Sequence, residues 1–111
     1  MKAGYTYILT NKSCLTFYIG VTNNIWRRIL EHKSGLGSKF TKKYNLTYLM
    51  CFEEHSTIED AIVREKQLKN WHREWKINLI KESNPEMLDL AASWYTEEEI
   101  NDFKETQNYI E

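Results

Sequence analysis

The stretch YTYILTNKSCLTFYIG, residues 5–20, decides the fold. Its two ends alternate and are rich in aromatic and β-branched residues, while NKSCLT between them supplies turn formers, so the spacing predicts a hairpin. In the first predicted strand Tyr5 and Tyr7 share one face and Thr6 and Ile8 the other. In the second, Tyr18 and Gly20 share a face. Just beyond, TNN offers capping residues, and Ile25, Trp26, Ile29 and Leu30 recur at helical spacing until KSGLGS ends the run with two glycines.

Working outward, SKFTKKYN reads as a basic, aromatic-bearing connector, and LTYLMCFEE (residues 46–54) as a third strand. STIED then opens a helix with a capping-box pattern, Ser56 answered by Glu59, and Ile58, Ala61, Ile62 and Leu68 form its apolar stripe to about Trp71. REWKINLIKES continues helically until Asn84-Pro85, since proline cannot extend a helix. A last, acidic helix starts at Thr96, with Glu99 placed to complete its cap. The order is β-β-α-β-α-α with an acidic tail. This predicts an α+β fold, a small three-stranded antiparallel sheet flanked by helices, in which Trp71, Trp75 and Trp94 pack inward.

The 111 residues fit one domain, and 41% hydrophobic with 14% aromatic content is that of a globular chain. No apolar run approaches the roughly 18–20 residues that cross a bilayer, and the start carries no cleavage site of a signal peptide. The expectation is a cytoplasmic protein without membrane association. Cys14 and Cys51 are then read as reduced thiols, and with His32, His55 and His72 they give no zinc-ligand spacing. The near-neutral total charge conceals a split. Residues 1–81 hold 14 Lys/Arg against 7 Asp/Glu, whereas residues 82–111 hold 1 against 9. A basic body suits a polyanionic partner, and the acidic tail either solvates the end or folds over the basic face.

Several polar residues sit where a bland fold would place aliphatic ones. Arg28 and His32, four apart, project from one face of the first helix, next to the side that Ile25 and Ile29 bury. Glu65 lies inside the apolar stripe of the long helix, where a carboxylate must either pair with a cationic side chain such as Arg64 or Lys69 or bind a cation. Two tyrosines, an arginine, a histidine and a part-buried carboxylate supply a proton acceptor, a phosphate clamp and a divalent-metal ligand. Those are the parts that phosphodiester hydrolysis needs.

On these residues the chain resembles the GIY-YIG nuclease superfamily. Tyr5-Thr6-Tyr7 stands where the first signature lies, Tyr18-Ile19-Gly20 is the second intact, IWRRILEH supplies the arginine and histidine, and AIVREKQLKNW resembles the segment with the metal-binding glutamate. The resemblance covers residues 4–90 and is nearest to small, single-domain bacterial proteins similar to the N-terminal catalytic end of the ABC excinuclease, which places it with DNA repair. It implies a nuclease domain over residues 1–90, followed by an acidic helical extension over 91–111. Tyr5 replaces the glycine of the first signature, which changes the local backbone and crowding. For the family's late asparagine there are two alternative candidates, Asn78 and Asn84.

By the resemblance, Glu65 would hold a single Mg²⁺ or Mn²⁺, and Arg28 would grip the scissile phosphate. Tyr7, helped by Tyr18, would orient or deprotonate water, His32 would relay the proton or hold the phosphate, and Gly20 would let the backbone turn closely beside the site. As a base Tyr7 needs a nearby cation, which Arg28 or the metal would provide. Lys39, Lys42 and Lys43, with Phe40 and Tyr44 between them, and Lys66, Lys69 and Arg73 on the long helix, would bind the substrate. The substrate is expected to be DNA, structured or damaged, with RNA not excluded. No small-molecule cofactor is expected, and the chain would act as a monomer or weak homodimer. The competing expectation is a nucleic-acid-binding or adaptor module with little or no catalysis.

Overall fold

In a computed structural model, residues 3–110 are described. They form β1 (Gly4–Thr10), β2 (Phe17–Thr22), α1 (Ile25–Lys33), α2 (Lys39–Lys43), β3 (Tyr48–His55), α3 (Ile58–Lys69), α4 (Arg73–Ser83) and α5 (Glu97–Ile110). The sheet is antiparallel with order β2-β1-β3. The predicted α+β layer is therefore the observed one. Some local readings need correction. The basic connector contains the short helix α2, capped by the Ser38 side chain, which accepts from the Thr41 N–H. The cap of α3 is Thr57, one residue later than Ser56, and its hydroxyl accepts from the Asp60 N–H.

Strand alternation divides the core in two. Tyr7 and Leu9 face Ile29 and Leu30 of α1, together with Leu46, Leu49, Ala91 and Tyr95. Ile8 faces the other way, packing with Ile19, Met50, Cys51, Leu68 and Ile80. Pairing of β1 with β3 shifts register between Ile8, opposite Cys51, and Leu9, opposite Leu49. The extra residue is Met50, which lets two consecutive side chains, Met50 and Cys51, enter the same core cluster. A strict period of two misses this.

Trp75 departs from the expected core set. It is 52% exposed, standing edge-on to Trp71 and His72. Trp94 does pack on the Tyr7 side of the core, and the half-buried Trp71 on the other. No helix among the described residues is long and apolar enough to cross a membrane.

The chain after α4 returns to the body. Asn84 is buried, donating its amide to the Met50 and Leu88 carbonyls and accepting from the Leu88 N–H. Asp89 accepts from Lys33 Nζ at 2.6 Å and from the Leu49 N–H at 2.9 Å. Tyr95 donates its hydroxyl to the Trp26 carbonyl at 2.6 Å. Thr96 and Glu99 then exchange the predicted capping-box bonds, 3.1 and 3.0 Å. With Glu97, Glu98 and Glu99 in its first turn, α5 has negative charge where its dipole favours it. Ile100 and Phe103 of α5 pack on the α1 side of the core, and the Arg27 guanidinium lies 5.4 Å from the Phe103 ring centre.

Candidate active site

The site grows from one register match. Tyr7 on β1 pairs with Gly20 on the edge strand β2, and a Cβ built on Gly20 would fall 2.3 Å from Tyr7 Cζ and 2.4 Å from its hydroxyl. Glycine at position 20 thus leaves the space that the buried phenol fills. The aromatic neighbours follow from alternation: Tyr18, two residues before Gly20, has its ring centre 6.3 Å from that of Tyr7 and 5.8 Å from that of His32.

Helix α1 begins immediately after β2, with Asn24 accepting from the Arg27 N–H as its cap. That start aims Arg28 and His32, one turn apart, back at the Tyr7 hydroxyl. Arg28 Nε donates to it at 3.3 Å, and His32 Nε2 lies 2.9 Å from it. His32 is buried at 3% exposure, and its Nδ1 lies 3.2 Å from Thr41 Oγ1 of α2. Arg28 also donates from an Nη to Glu31 at 2.8 Å and keeps 28% of its side chain exposed.

Burial dominates the proton affinities. It pushes the Tyr7 phenol up to about 12, although the hydrogen bond and charge of Arg28 pull the other way. A nearby cation is therefore present, as the chemistry of a tyrosine base requires, but in the free protein it does not outweigh burial. Burial, with the charge of Arg28 second, pulls the His32 imidazole down to about 4. For Arg28, burial opposes the charge, yet hydrogen bonds to Glu31 and Tyr7 outweigh it and the pKa rises. At neutral pH the cluster is a neutral phenol, a neutral imidazole and a guanidinium.

The low value of His32 gives a stability signature. Its folded pKa lies below the ordinary 6.5, so its contribution is complete above pH 6.5 and is lost as pH falls towards 4. Between pH 7 and pH 5 the wild type should lose about 2 kcal/mol more stability than His32→Gln, read from urea unfolding at both pH values. Equal pH dependence in the two proteins would refute the buried neutral imidazole.

Glu65 comes from the other layer. Thr6 and Ile8, which alternate with Tyr7, face α3: Thr6 donates its hydroxyl to the Ala61 carbonyl at 2.9 Å, and Ile8 packs with Leu68. Glu65, between Ala61 and Leu68, keeps 16% of its side chain exposed, with Lys69 Nζ 3.5 Å away. The structure thus brings Tyr7, Tyr18, Arg28 and His32 into one cluster and pairs Glu65 with Lys69. Arg64, the other cation considered for it, instead binds Glu53 at 2.7 Å.

Of the six basic residues expected to bind substrate, Lys39, Lys42 and Lys43 are exposed on α2, beside the exposed rings of Phe40 and Tyr44. Phe40 stacks on Tyr18 at 6.3 Å, so this basic face adjoins the site. Lys66 and Lys69 are exposed on α3. Arg73 lies at the start of α4 rather than on the long helix, and it donates to the Leu15 and Cys14 carbonyls, stapling the hairpin turn. Of the two asparagines, Asn84 is fully engaged by backbone and Asn78 is exposed.

Three residues near the site escaped the sequence reading: Glu31, Thr41 and Gly37. A Cβ on Gly37 would lie 2.2 Å from His32 Nδ1. One signal existed for it. Gly35, at φ +74°, already serves the left-handed turn after α1, so a second glycine two residues on calls for another reason.

An antiparallel sheet whose edge strand presents a YIG tripeptide over a buried tyrosine, backed by arginine and histidine from the next helix, defines a nuclease-type catalytic domain. A family model for the GIY-YIG catalytic domain matches residues 3–78. A UPF0213 protein of Syntrophus aciditrophicus is 39% identical over 89 residues, covering 79% of this chain and all of the relative. A UPF0213 protein of Staphylococcus haemolyticus is 34% identical over 82 residues, covering 74% of this chain and 99% of the relative. A UPF0213 protein of Haloquadratum walsbyi is 36% identical over 78 residues, covering 70% of this chain and 86% of the relative. No solved structure matches. The chain belongs to the GIY-YIG family.

Proposed function

We propose that the protein is a metal-dependent endonuclease that hydrolyses phosphodiester bonds in DNA. The observation that carries this reading is the Tyr7 hydroxyl, buried between Arg28 Nε and His32 Nε2. A phenol held between a cation and an imidazole is equipped to exchange a proton with water. Arg28, still partly exposed, can exchange Glu31 for a phosphate and stabilise the charge that grows in the transition state. Tyr18 walls the site, and Lys39, Lys42 and Lys43 bind the flanking backbone.

The donor set decides which ion fits. Among the described residues no three His, Cys, Asp or Glu side chains gather as a metal cage. Glu65, a lone carboxylate whose Lys69 partner is half exposed, suits a hard Mg²⁺ or Mn²⁺ that takes most of its shell from water and phosphate. When bound, that ion adds positive charge beside the phosphate.

The alternative is a DNA-binding module with weak or no catalysis, favoured by the pairing of Glu65 with Lys69 and not with the tyrosine cluster. Nicking of supercoiled plasmid by wild type and Glu65→Ala, with Mg²⁺, Mn²⁺ or EDTA, separates the two. Single-stranded, branched and RNA substrates run in parallel. Metal-dependent cleavage that falls more than tenfold in the variant supports the nuclease. Salt-sensitive binding with no product from any substrate supports the module.

A further inference from the structure

The hydrogen bonds around His32 fix more than its position, because their donors can be assigned. Among the described residues, the Tyr7 hydroxyl has two hydrogen-bond neighbours, Arg28 Nε at 3.3 Å and His32 Nε2 at 2.9 Å. A guanidinium only donates, so the buried phenolic hydrogen has one acceptor, His32 Nε2. A neutral imidazole carries a single ring proton, which then resides on Nδ1.

The other end of the ring gives the same answer independently. Thr41 Oγ1 donates its one hydrogen to the Ser38 carbonyl at 3.0 Å and accepts from Ser38 Oγ at 3.2 Å. What it presents to His32 Nδ1, 3.2 Å away, is a lone pair, and a lone pair needs an N–H opposite it. Thr41 is itself buried at 3% exposure, in a helix whose first turn Ser38 caps. Its rotamer is therefore tied at several points. The space for this contact exists because position 37 is glycine: a Cβ there would lie 2.2 Å from His32 Nδ1 and 2.9 Å from Thr41 Oγ1.

We propose that Thr41 is a positioning residue that holds His32 as its Nδ1–H tautomer, so that the bare Nε2 faces the Tyr7 hydroxyl and receives its proton. The inference rests on the nuclease reading only for its catalytic consequence. In that step the attacking water gives a proton to the Tyr7 oxygen as Tyr7 gives its own to His32 Nε2. The balance is one proton moved from water to imidazole, while the water oxygen bonds to phosphorus and the bond from phosphorus to the leaving sugar oxygen breaks; that oxygen takes a proton from solvent, and the imidazolium later returns its own to solvent. A phosphate anion at Arg28 offsets the positive charge that in the free protein helps to keep the imidazole neutral. With the opposite tautomer Nε2 would carry the proton and this route would be closed.

The test reads the tautomer directly. Long-range ¹H–¹⁵N correlation spectra of imidazole-labelled protein at pH 7 distinguish Nδ1–H from Nε2–H at His32. The wild type and Thr41→Ser, which keeps the hydroxyl, should show Nδ1–H. Thr41→Val, equal in shape but with no lone pair, and Gly37→Ala, which fills the contact, leave Nδ1–H without its acceptor, so that only the Tyr7 end still favours it, and should show Nε2–H mixed with Nδ1–H. Cleavage by Thr41→Val should fall about tenfold or more in kcat at little changed KM, with Thr41→Ser restoring most of it. A wild-type Nε2–H signature, or Thr41→Val that shows Nδ1–H as free of the other tautomer as the wild type does, would overturn the proposal. The spectra need no substrate, so a correct tautomer in a protein that cuts nothing would count against the nuclease reading alone.

Discussion

Tyr7→Phe should bind DNA within a few-fold of wild type and cleave it about 10²- to 10⁴-fold more slowly. The ring is what packs: Tyr7 is 1% exposed and its phenol lies under Gly20, a space that phenylalanine also fills. Only the hydroxyl disappears. That removes the acceptor of Arg28 Nε and the donor to His32 Nε2, a structural cost of about 1 kcal/mol per bond and too small to unfold a typical domain. In the proposed function binding rests instead on surface cations such as the exposed Lys39, Lys42 and Lys43, which the substitution does not touch. Tyr18→Phe makes the useful comparison, since Tyr18 contributes ring contacts to Tyr7, His32 and Phe40. Its loss should be much smaller. Single-turnover cleavage rates and gel-shift affinities measure both effects. A Tyr7→Phe rate within tenfold of wild type would remove Tyr7 from the proton path.

How much of this site was legible in the sequence follows from what each residue's position depends on. Tyr7, Tyr18 and Gly20 were readable because strand alternation and a short hairpin fix their faces. Arg28 and His32 were readable because a turn of helix separates them. Thr41 was not: a five-residue helix has no periodicity to detect, and its contact with His32 arises only when the chain folds back across Gly37. The burial of Glu65 in the stripe was legible, and so was Lys69 as one candidate partner. The layer it occupies relative to Tyr7 depends on sheet order, which local pattern does not encode. Trp75 misleads for a different reason. Its helical spacing is right, but α4 meets the core through Ile80 and Leu79, and the face near its start is left open.

The residues after α4 carry the other large expectation: Asp89→Ala should destabilise the protein by about 3–5 kcal/mol. Lys33 and Asp89 are 2.6 Å apart with side chains 11% and 12% exposed, so removing the carboxylate leaves an ammonium largely buried with the Thr47 carbonyl as its remaining hydrogen-bond partner. The same carboxylate accepts from the Leu49 and Ala91 N–H groups at 2.9 and 3.0 Å, and both donors would lose it. Asp89→Asn keeps a carbonyl oxygen for those donors while losing the charge, and should cost less. Combining Asp89→Asn with Lys33→Met removes both charges and should recover part of the loss, because an uncharged pair no longer strands an ion. Urea unfolding of the wild type, Asp89→Asn, Lys33→Met and the double variant gives the cycle, with Asp89→Ala measured beside them. The consequence reaches the candidate active site. Lys33 follows His32 in α1, Leu49 pairs with Leu9 in β1, and Ala91 and Tyr95 share the core cluster that contains Tyr7. Asp89 therefore ties the helix that carries Arg28 and His32 to the sheet that carries Tyr7, from a segment beyond the matched residues 3–78. A loss below about 1 kcal/mol, the range of an exposed ion pair, would make that tie superficial and leave the site braced by the matched residues 3–78 alone.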